Sequence, residues 1–234
     1  MIITIYLWTI AFIGFLQSYL ILKLLNSFIS LRRARWILET FTFKFIYYAM
    51  TIPRIWRVKF HGWSNINKER NYVIISNHIS IADGLFLFLI PNTKAFVAAR
   101  KFYNLPLVKY VFSICKYYPV AKEDSSSTQG IVDRICTDIR DDSSIVLFPE
   151  GQRNTKVKDM LEFKSGAFRI AKDLNYMILP IGIKGTDKAI PNGSISVYRA
   201  DIDIAIGKPY PCGDMTIEEI KDYSYKYITK LIKV

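Results

Sequence analysis

Histidine and cysteine are scarce in this chain, and their scarcity excludes several kinds of site. The 234 residues include two histidines, His61 and His78, and three cysteines. The cysteines are odd in number and far apart, at Cys115, Cys136 and Cys212, and no C-x-x-C pair is present. A disulfide framework or a zinc site is therefore not expected. We predict no metal centre and a reducing compartment.

Signatures of nucleic-acid binding are also absent, although the chain is basic. Lys and Arg number 32 against 20 Asp and Glu, for a net charge of +12, and a basic surface favours anionic partners. The chain has no recognised nucleic-acid-binding motif and no stretch of five or more basic residues. It is also unusually apolar, with 51% hydrophobic residues. Positive charge on an apolar protein favours a membrane surface, and membrane lipids as partners, over nucleic acid.

The N-terminus carries the longest apolar run. "MIITIYLWTIAFIGFLQSYLIL" contains no charged residue, and as a helix of roughly 33 Å it would match a hydrocarbon core of about 30 Å. No Lys or Arg precedes it, and it is too long for the apolar region of a cleaved signal peptide, so we predict a retained membrane anchor. The positive charges that follow favour placing that end, and the catalytic domain, on the cytoplasmic side. These are Lys23, Arg32, Arg33 and Arg35.

A second apolar stretch covers residues 36–56. It carries Glu39 and Lys44 and contains Pro53, so a second span is not expected; its aromatic residues and basic flanks suit an interfacial helix. Residues 1–56 are therefore expected to form either one span plus a surface helix or a helical hairpin embedded in one leaflet, with a slight preference for the hairpin. A hydrophobic helix packed on the domain is the remaining alternative.

Residues 57–234 alternate short apolar runs with amphipathic segments, which predicts an α/β domain with a central mixed sheet covered by helices. The predicted strands are RVKFHGW, YVIIS, AFVAA, YYPVA, SIVLFP, MILPIGI and SISVYRADIDIAIG. The predicted helices cover residues 82–90, 106–116, 128–141, 163–174 and 217–233. Capping-box patterns occur at Ser126 with Gln129 and at Thr216 with Glu219. Residues 123–130 are the most loop-like stretch of the body.

A polar cluster, "SNHISIAD", lies between a predicted strand and a predicted helix. His78 and Asp83 are five residues apart, so their side chains would diverge in one continuous helix. They can meet if His78 precedes the helix, Ser80 is its N-cap and Asp83 lies in its first turn. Asp83 then either only satisfies backbone N–H groups or also orients the imidazole, which leaves the other ring nitrogen as a general base.

A second cluster, "FPEGQRN", follows a predicted buried strand. Pro149 and Gly151 bracket Glu150 in a turn, from which Arg153 would project. Arginine suits bidentate recognition of phosphate. Taken alone, such a turn is more typical of an ordinary salt-bridged loop.

Together the two clusters resemble the motifs of the glycerolipid acyltransferase family, which includes the 1-acylglycerol-3-phosphate acyltransferases. "NHISIAD" is similar to the first motif at Asn77, His78 and Asp83, and "FPEGQRN" is similar to the third. "FKSGAF" and "ILPIGIKG" are similar to later family segments. The resemblance covers roughly residues 58–190.

The resemblance implies transfer of a fatty acyl group from acyl-CoA or acyl carrier protein to the hydroxyl of a lysophospholipid, without a further cofactor. His78 would be the general base and Asp83 its partner. Arg153 would bind the acceptor phosphate, with Lys101, Lys122 and Lys164 as possible helpers. Glu150 would position the glycerol or complete the site, and Gly151 would allow close approach of the backbone.

This sequence departs from the family pattern at three positions. Gln152 and Asn154 replace the usual Thr and Ser, and Lys122 stands where the second motif has an arginine. Lysine keeps the charge but loses the bidentate fork, so other acceptors stay open: glycerol 3-phosphate, another lysophospholipid or an aminoacyl lipid. A membrane thioesterase or hydrolase, and an inactive membrane scaffold, are the alternatives from other classes. No G-x-S-x-G nucleophile elbow is present.

Overall fold

A mixed α/β architecture is confirmed. The computed structural model describes residues 1–25, 28, 30, 33, 37–91, 94–99, 117–120, 125–139, 143–155 and 159–233. Within these residues a seven-stranded sheet forms the centre of the molecule. Its strands are β1 Trp56–His61, β2 Tyr72–Ser76, β3 Lys94–Ala99, β4 Tyr117–Val120, β5 Ser144–Leu147, β6 Met177–Lys184 and β7 Ala200–Ile206.

The sheet order is β1-β7-β6-β2-β5-β3-β4. β6 and β7 are antiparallel, and the other neighbours are parallel. β1 and β7 therefore run opposite to the other five strands. As a result, the starts of β1 and β7 lie at the same edge of the sheet as the ends of β2 and β6.

All seven predicted strand segments contain an observed strand, but the last was predicted too long. It begins at Ala200 rather than at residue 194. The backbone before it bonds to the N-terminal helix instead: the Ile195 carbonyl accepts from Trp8 Nε1 at 2.8 Å, and the Val197 amide donates to Thr4 Oγ1 at 3.0 Å. The backbone groups that would extend β7 toward residue 194 are thus already hydrogen-bonded to α1.

The helices are α1 Ile2–Leu25, a π-helix Leu38–Phe43 that continues into α2 Lys44–Thr51, a 3₁₀ turn Trp63–Asn65, α3 Asp83–Phe88, α4 Ser125–Ile139, α5 Gly166–Asp173, α6 Thr186–Ala189 and α7 Ile217–Ile232. The predicted helix 106–116 lies outside the described residues. Because α4 begins at Ser125, the loop prediction for residues 125–130 and the capping box starting at Ser126 were wrong; serine is well tolerated near helix N-termini. The Thr216–Glu219 capping box is confirmed.

Two apolar layers sandwich the sheet. All five residues of β2 are buried, and successive side chains point to opposite faces. Ile74 belongs to a cluster with Met50 of α2 and Phe86 of α3. Ile75 belongs to a cluster on the other face, which includes Phe168 of α5 and Ile228 of α7. This burial on both faces explains why β2 reads as a continuous apolar run.

The N-terminal segment forms an antiparallel helical pair. Tyr6 donates to the Ala49 carbonyl at 2.9 Å, Phe15 meets Phe43 edge-on, and Ser18 bonds to Thr42. Residues later in α1 therefore contact residues earlier in the segment 38–51, which shows that the two helices are antiparallel. Among the described residues, α1 alone is long and apolar enough to cross a membrane, judged by length and composition.

Candidate active site

The connection that leaves β2 is fixed first by Asn77. This buried side chain donates to the Ile183 carbonyl and accepts from the Ile183 amide, both at 2.8 Å. The side-chain amide of Asn77 thus forms the two hydrogen bonds to β6 that the backbone of a neighbouring strand would form. Its effect is to hold the chain at the end of β2, where His78 follows.

Asp83 is fully buried and accepts four hydrogen bonds. Oδ2 accepts from His78 Nδ1 at 2.8 Å, from the Ile79 amide at 2.7 Å and from the Ser80 amide at 2.8 Å. Oδ1 accepts from Thr186 Oγ1 at 2.5 Å. Of the two alternatives, the structure shows the second contact pattern: the carboxylate satisfies backbone N–H groups and also binds the imidazole. The predicted meeting of His78 and Asp83 is observed.

Ser80 does not act as the expected N-cap. α3 begins at Asp83 itself, and its N-cap residue is Ala82. The Ser80 hydroxyl donates to the Ile190 carbonyl at 2.8 Å and accepts from the Ala82 amide at 3.2 Å. The residues between His78 and α3 therefore form a tight turn that wraps around the Asp83 carboxylate.

The orientation of the His78 ring leaves one nitrogen available. A carboxylate can only accept, so Nδ1 carries the proton and Nε2 is the basic nitrogen. Among the described residues Nε2 has no hydrogen-bond partner. The ring stacks on Phe148 with centroids 3.8 Å apart, and 18% of the side chain is exposed. Asp83 and Phe148 therefore fix the position of the imidazole, and its Nε2 edge remains open.

Glu150 ties the two motifs together. Its side chain is 2% exposed; Oε1 accepts from the His78 amide and Oε2 from the Leu161 amide, both at 2.8 Å. The Asn154 amide donates back to the His78 carbonyl at 2.7 Å. Burial raises the pKa of Glu150, against the opposing effect of these two backbone donors. In this arrangement both carboxylate oxygens are already used to position the loops.

We expect Glu150→Gln to lower the free energy of unfolding by roughly 1–3 kcal/mol. One amide oxygen can accept from only one of the two N–H groups, and the new NH₂ faces the other. Denaturant unfolding of the two proteins measures the difference, with the exposed Glu69→Gln as a matched control. An unchanged unfolding midpoint would argue against a positioning role for this carboxylate.

The predicted cationic residues divide into two groups. Arg153 is half-buried and Lys164 is exposed, and in the described part of the chain neither side chain has a hydrogen-bond or ion-pair partner. Gly151 has φ 67°, and a Cβ there would lie 2.8 Å from Cε of Lys164, so the glycine lets the lysine stem cross the turn. Lys101 and Lys122 lie outside the described residues.

Thr186 is a candidate site residue that the sequence reasoning missed. It is fully buried and lies two residues after the end of β6. Its hydroxyl donates a hydrogen bond to Asp83, which is 103 residues earlier in the sequence. It lies just beyond "ILPIGIKG", so the only sequence signal was its position after a segment already singled out. We infer that it helps hold the carboxylate that holds His78.

Thr186→Val should lower kcat for the acyl transfer that the family resemblance implies by roughly tenfold, about 1.4 kcal/mol. The KM values for the acyl donor and for the acceptor should change little. Valine keeps the volume but removes the hydrogen bond to Asp83. Thr186→Ser keeps the hydroxyl and should restore most of the rate, whereas a purely packing role would leave serine as impaired as valine. Steady-state kinetics on folded protein of known concentration decide between the two.

Three known proteins are similar to this chain in fold or in sequence. The crystal structure of the 1-acyl-sn-glycerophosphate (LPA) acyltransferase PlsC from Thermotoga maritima superposes with a TM-score of 0.85, covering 99% of this chain and 95% of that one at 23% identity, which shows a shared fold. The chloroplastic 1-acyl-sn-glycerol-3-phosphate acyltransferase BAT2 of Brassica napus is 26% identical over 163 residues, 69% of this chain and 47% of that protein. The 1-acyl-sn-glycerol-3-phosphate acyltransferase of Saccharomyces cerevisiae is 25% identical over 205 residues, 85% of this chain and 65% of that protein.

The acyltransferase family model matches residues 57–184, more than half of the chain, and the chain therefore belongs to the acyltransferase family. The matched range contains His78, Asp83, Glu150 and Arg153 and ends two residues before Thr186. The chain spans about half the length of the plant chloroplastic relatives it matches.

Proposed function

We propose that this protein is a membrane-associated O-acyltransferase of phospholipid biosynthesis, which moves a fatty acyl group from an acyl thioester to the free hydroxyl of a lysophosphatidic acid-type acceptor. The observation that carries the proposal is the imidazole of His78, bound to buried Asp83 through Nδ1 with Nε2 open. The names of the curated relatives support the acceptor.

In the proposed reaction, Nε2 of His78 removes the acceptor's hydroxyl proton while that oxygen attacks the thioester carbonyl. The new C–O bond forms, the C–S bond breaks, and the imidazolium returns the proton to the leaving thiolate. Asp83 stabilises the imidazolium during the interval. General-base catalysis of this kind contributes roughly 10²–10⁴-fold, and no covalent acyl-enzyme is needed.

Arg153 supplies the acceptor's phosphate site in this proposal. Arg153 directly precedes Asn154, whose backbone amide donates to the His78 carbonyl, so the backbone of Arg153 is held one residue from this contact with the catalytic loop. Arg153 is a half-buried cation with no partner among the described residues, and such a side chain is suited to an anionic ligand. Lys164 lies on the same turn, and Lys101 and Lys122 remain proposed helpers.

The helical pair supports attachment to one leaflet rather than a full span. The first turns of α1 are held on the catalytic domain, since Thr4 and Trp8 bond to the backbone of residues 195 and 197. A helix fixed there cannot also place those turns in the opposite leaflet. We propose a leaflet-embedded hairpin with the catalytic domain on the cytoplasmic side, because basic residues follow the N-terminal apolar run in the sequence.

One experiment tests the proposed activity. Purified protein in lipid vesicles is given radiolabelled acyl-CoA or acyl carrier protein thioester together with lysophosphatidic acid, glycerol 3-phosphate or another lysophospholipid. We expect phosphatidic acid as the main labelled product, formed one-to-one with free thiol. Free fatty acid formed at the same rate with and without acceptor would instead identify a thioesterase, and preference for another acceptor would correct the substrate.

A further inference from the structure

A basic cleft lies at the base of the helical hairpin, apart from the His78 site. Its volume is about 560 Å³, and it is enclosed by the end of α2, the residues that lead into β1 and the start of β7. Three arginines line it, at Arg54, Arg57 and Arg199. Nothing in the proposed reaction uses these residues.

The charges in this cleft are only partly neutralised. Arg57 pairs with Asp201 through two hydrogen bonds, Nε to Oδ1 at 2.5 Å and Nη2 to Oδ2 at 2.7 Å. Arg54 and Arg199 are exposed and have no partner among the residues that the structure describes. Two guanidinium groups are therefore left to face one cleft, an arrangement suited to a phosphate.

The cleft faces the same edge of the sheet as the proposed active site. Arg57 belongs to β1, and Arg199 directly precedes β7. These strands start where β2 and β6 end, and His78 and Thr186 follow those ends. A ligand in the cleft would therefore approach from the side on which the acceptor and the membrane are proposed to lie.

An apolar stripe leads from the hairpin toward this cleft. Phe41, Phe45, Tyr48 and Ile52 recur at helical spacing and are between 38% and 77% exposed, so they form one exposed apolar face of residues 41–52. Arg54 comes two residues after Ile52, beyond Pro53. A ligand matching both features would combine an acyl chain with a phosphate.

We propose that the cleft binds the phosphate of an anionic phospholipid of the surrounding bilayer, whose acyl chain lies along the Phe41–Ile52 stripe. This lipid is separate from the acceptor that is acylated. Its site would fix the depth and tilt of the hairpin at the membrane surface. The proposal stands on the cleft and the stripe, and does not require that the chain be an acyltransferase.

Native mass spectrometry of the full chain in detergent, titrated with phosphatidylglycerol, tests this site. We expect retention of one phosphatidylglycerol in the parent and weaker retention of zwitterionic phosphatidylcholine. The double variant Arg54→Gln/Arg199→Gln should weaken phosphatidylglycerol binding by roughly tenfold or more. The control Lys226→Gln/Lys230→Gln removes the same charge from exposed positions of α7 and should bind like the parent.

Two further arms separate the possible outcomes. Arg153→Ala, which should weaken the acceptor, should keep the same affinity for this lipid, which distinguishes the lipid from a substrate. Inorganic phosphate and glycerol 3-phosphate, at millimolar concentration, should displace little lipid. Equal binding by the arginine and lysine variants, loss of the lipid in Arg153→Ala, or full displacement by either soluble phosphate would overturn the proposal. A circular dichroism spectrum of the double arginine variant that matches the parent's shows that this variant is folded.

Discussion

Replacing His78 by alanine should abolish acyl transfer while leaving expression and membrane attachment intact. The substitution removes the one basic nitrogen that the site holds open, and general-base catalysis is worth roughly 10²–10⁴-fold. His78 is on a loop between β2 and α3, and the backbone bonds that hold this loop do not need its ring. Transfer is measured as labelled ester formed in vesicles at saturating acceptor and thioester.

The chain offers a matched control for this experiment. His61 is the other histidine; it lies on β1, pairs with Asp203 at 3.3 Å and is largely solvent-exposed. His61→Ala should keep nearly the full rate. Transfer by His78→Ala at more than a few per cent of the parent rate, with His61→Ala unimpaired, would refute the general-base assignment.

Replacing Arg153 by alanine should weaken the phosphorylated acceptor far more than the acyl donor. A hydrogen bond to a charged group contributes about 1.5–3 kcal/mol, roughly a 10- to 150-fold effect. We expect that increase in KM for lysophosphatidic acid, with the KM for the thioester changed little. The variant should discriminate poorly between lysophosphatidic acid and monoacylglycerol, which lacks the phosphate, whereas the parent should prefer the former.

Two other variants sharpen the Arg153 assignment. Arg153→Lys keeps the charge without the planar fork and should fall between parent and alanine. Arg134→Ala removes an exposed arginine of α4 that pairs with Asp138 and should leave both KM values unchanged. Equal weakening of acceptor and donor in Arg153→Ala would remove this residue from the phosphate site.

Local sequence signals predicted much of this site. The four apolar residues 72–75 followed by "SNHISIAD" placed His78 at a strand end. The spacing from His78 to Asp83 allowed contact only across a break before the helix. Both features depend on neighbours within a few residues. Proline and glycine around Glu150 likewise predicted the turn that follows β5.

What the sequence could not give are the contacts between distant segments. The hydrogen bond from Thr186 to Asp83 depends on β6 lying beside β2. Local sequence patterns do not predict the order of the strands in the sheet. The same applies to Glu150: the family resemblance implied that it positions the glycerol or completes the site, and the fold uses both of its oxygens for the amides of His78 and Leu161. The late start of the seventh strand, at Ala200 rather than at residue 194, has a similar cause, since α1 binds the backbone that precedes it.

The most direct test of the account compares rates of ester formation in the parent, His78→Ala, Asp83→Asn and the double variant. Residues that act as one unit lose the rate once, so their losses do not multiply. We predict that Asp83→Asn falls by roughly 100-fold or more and that the double variant is no slower than His78→Ala. An Asp83→Asn enzyme close to the parent rate, or a double variant slower by the product of the two single losses, would contradict a catalytic imidazole held by Asp83.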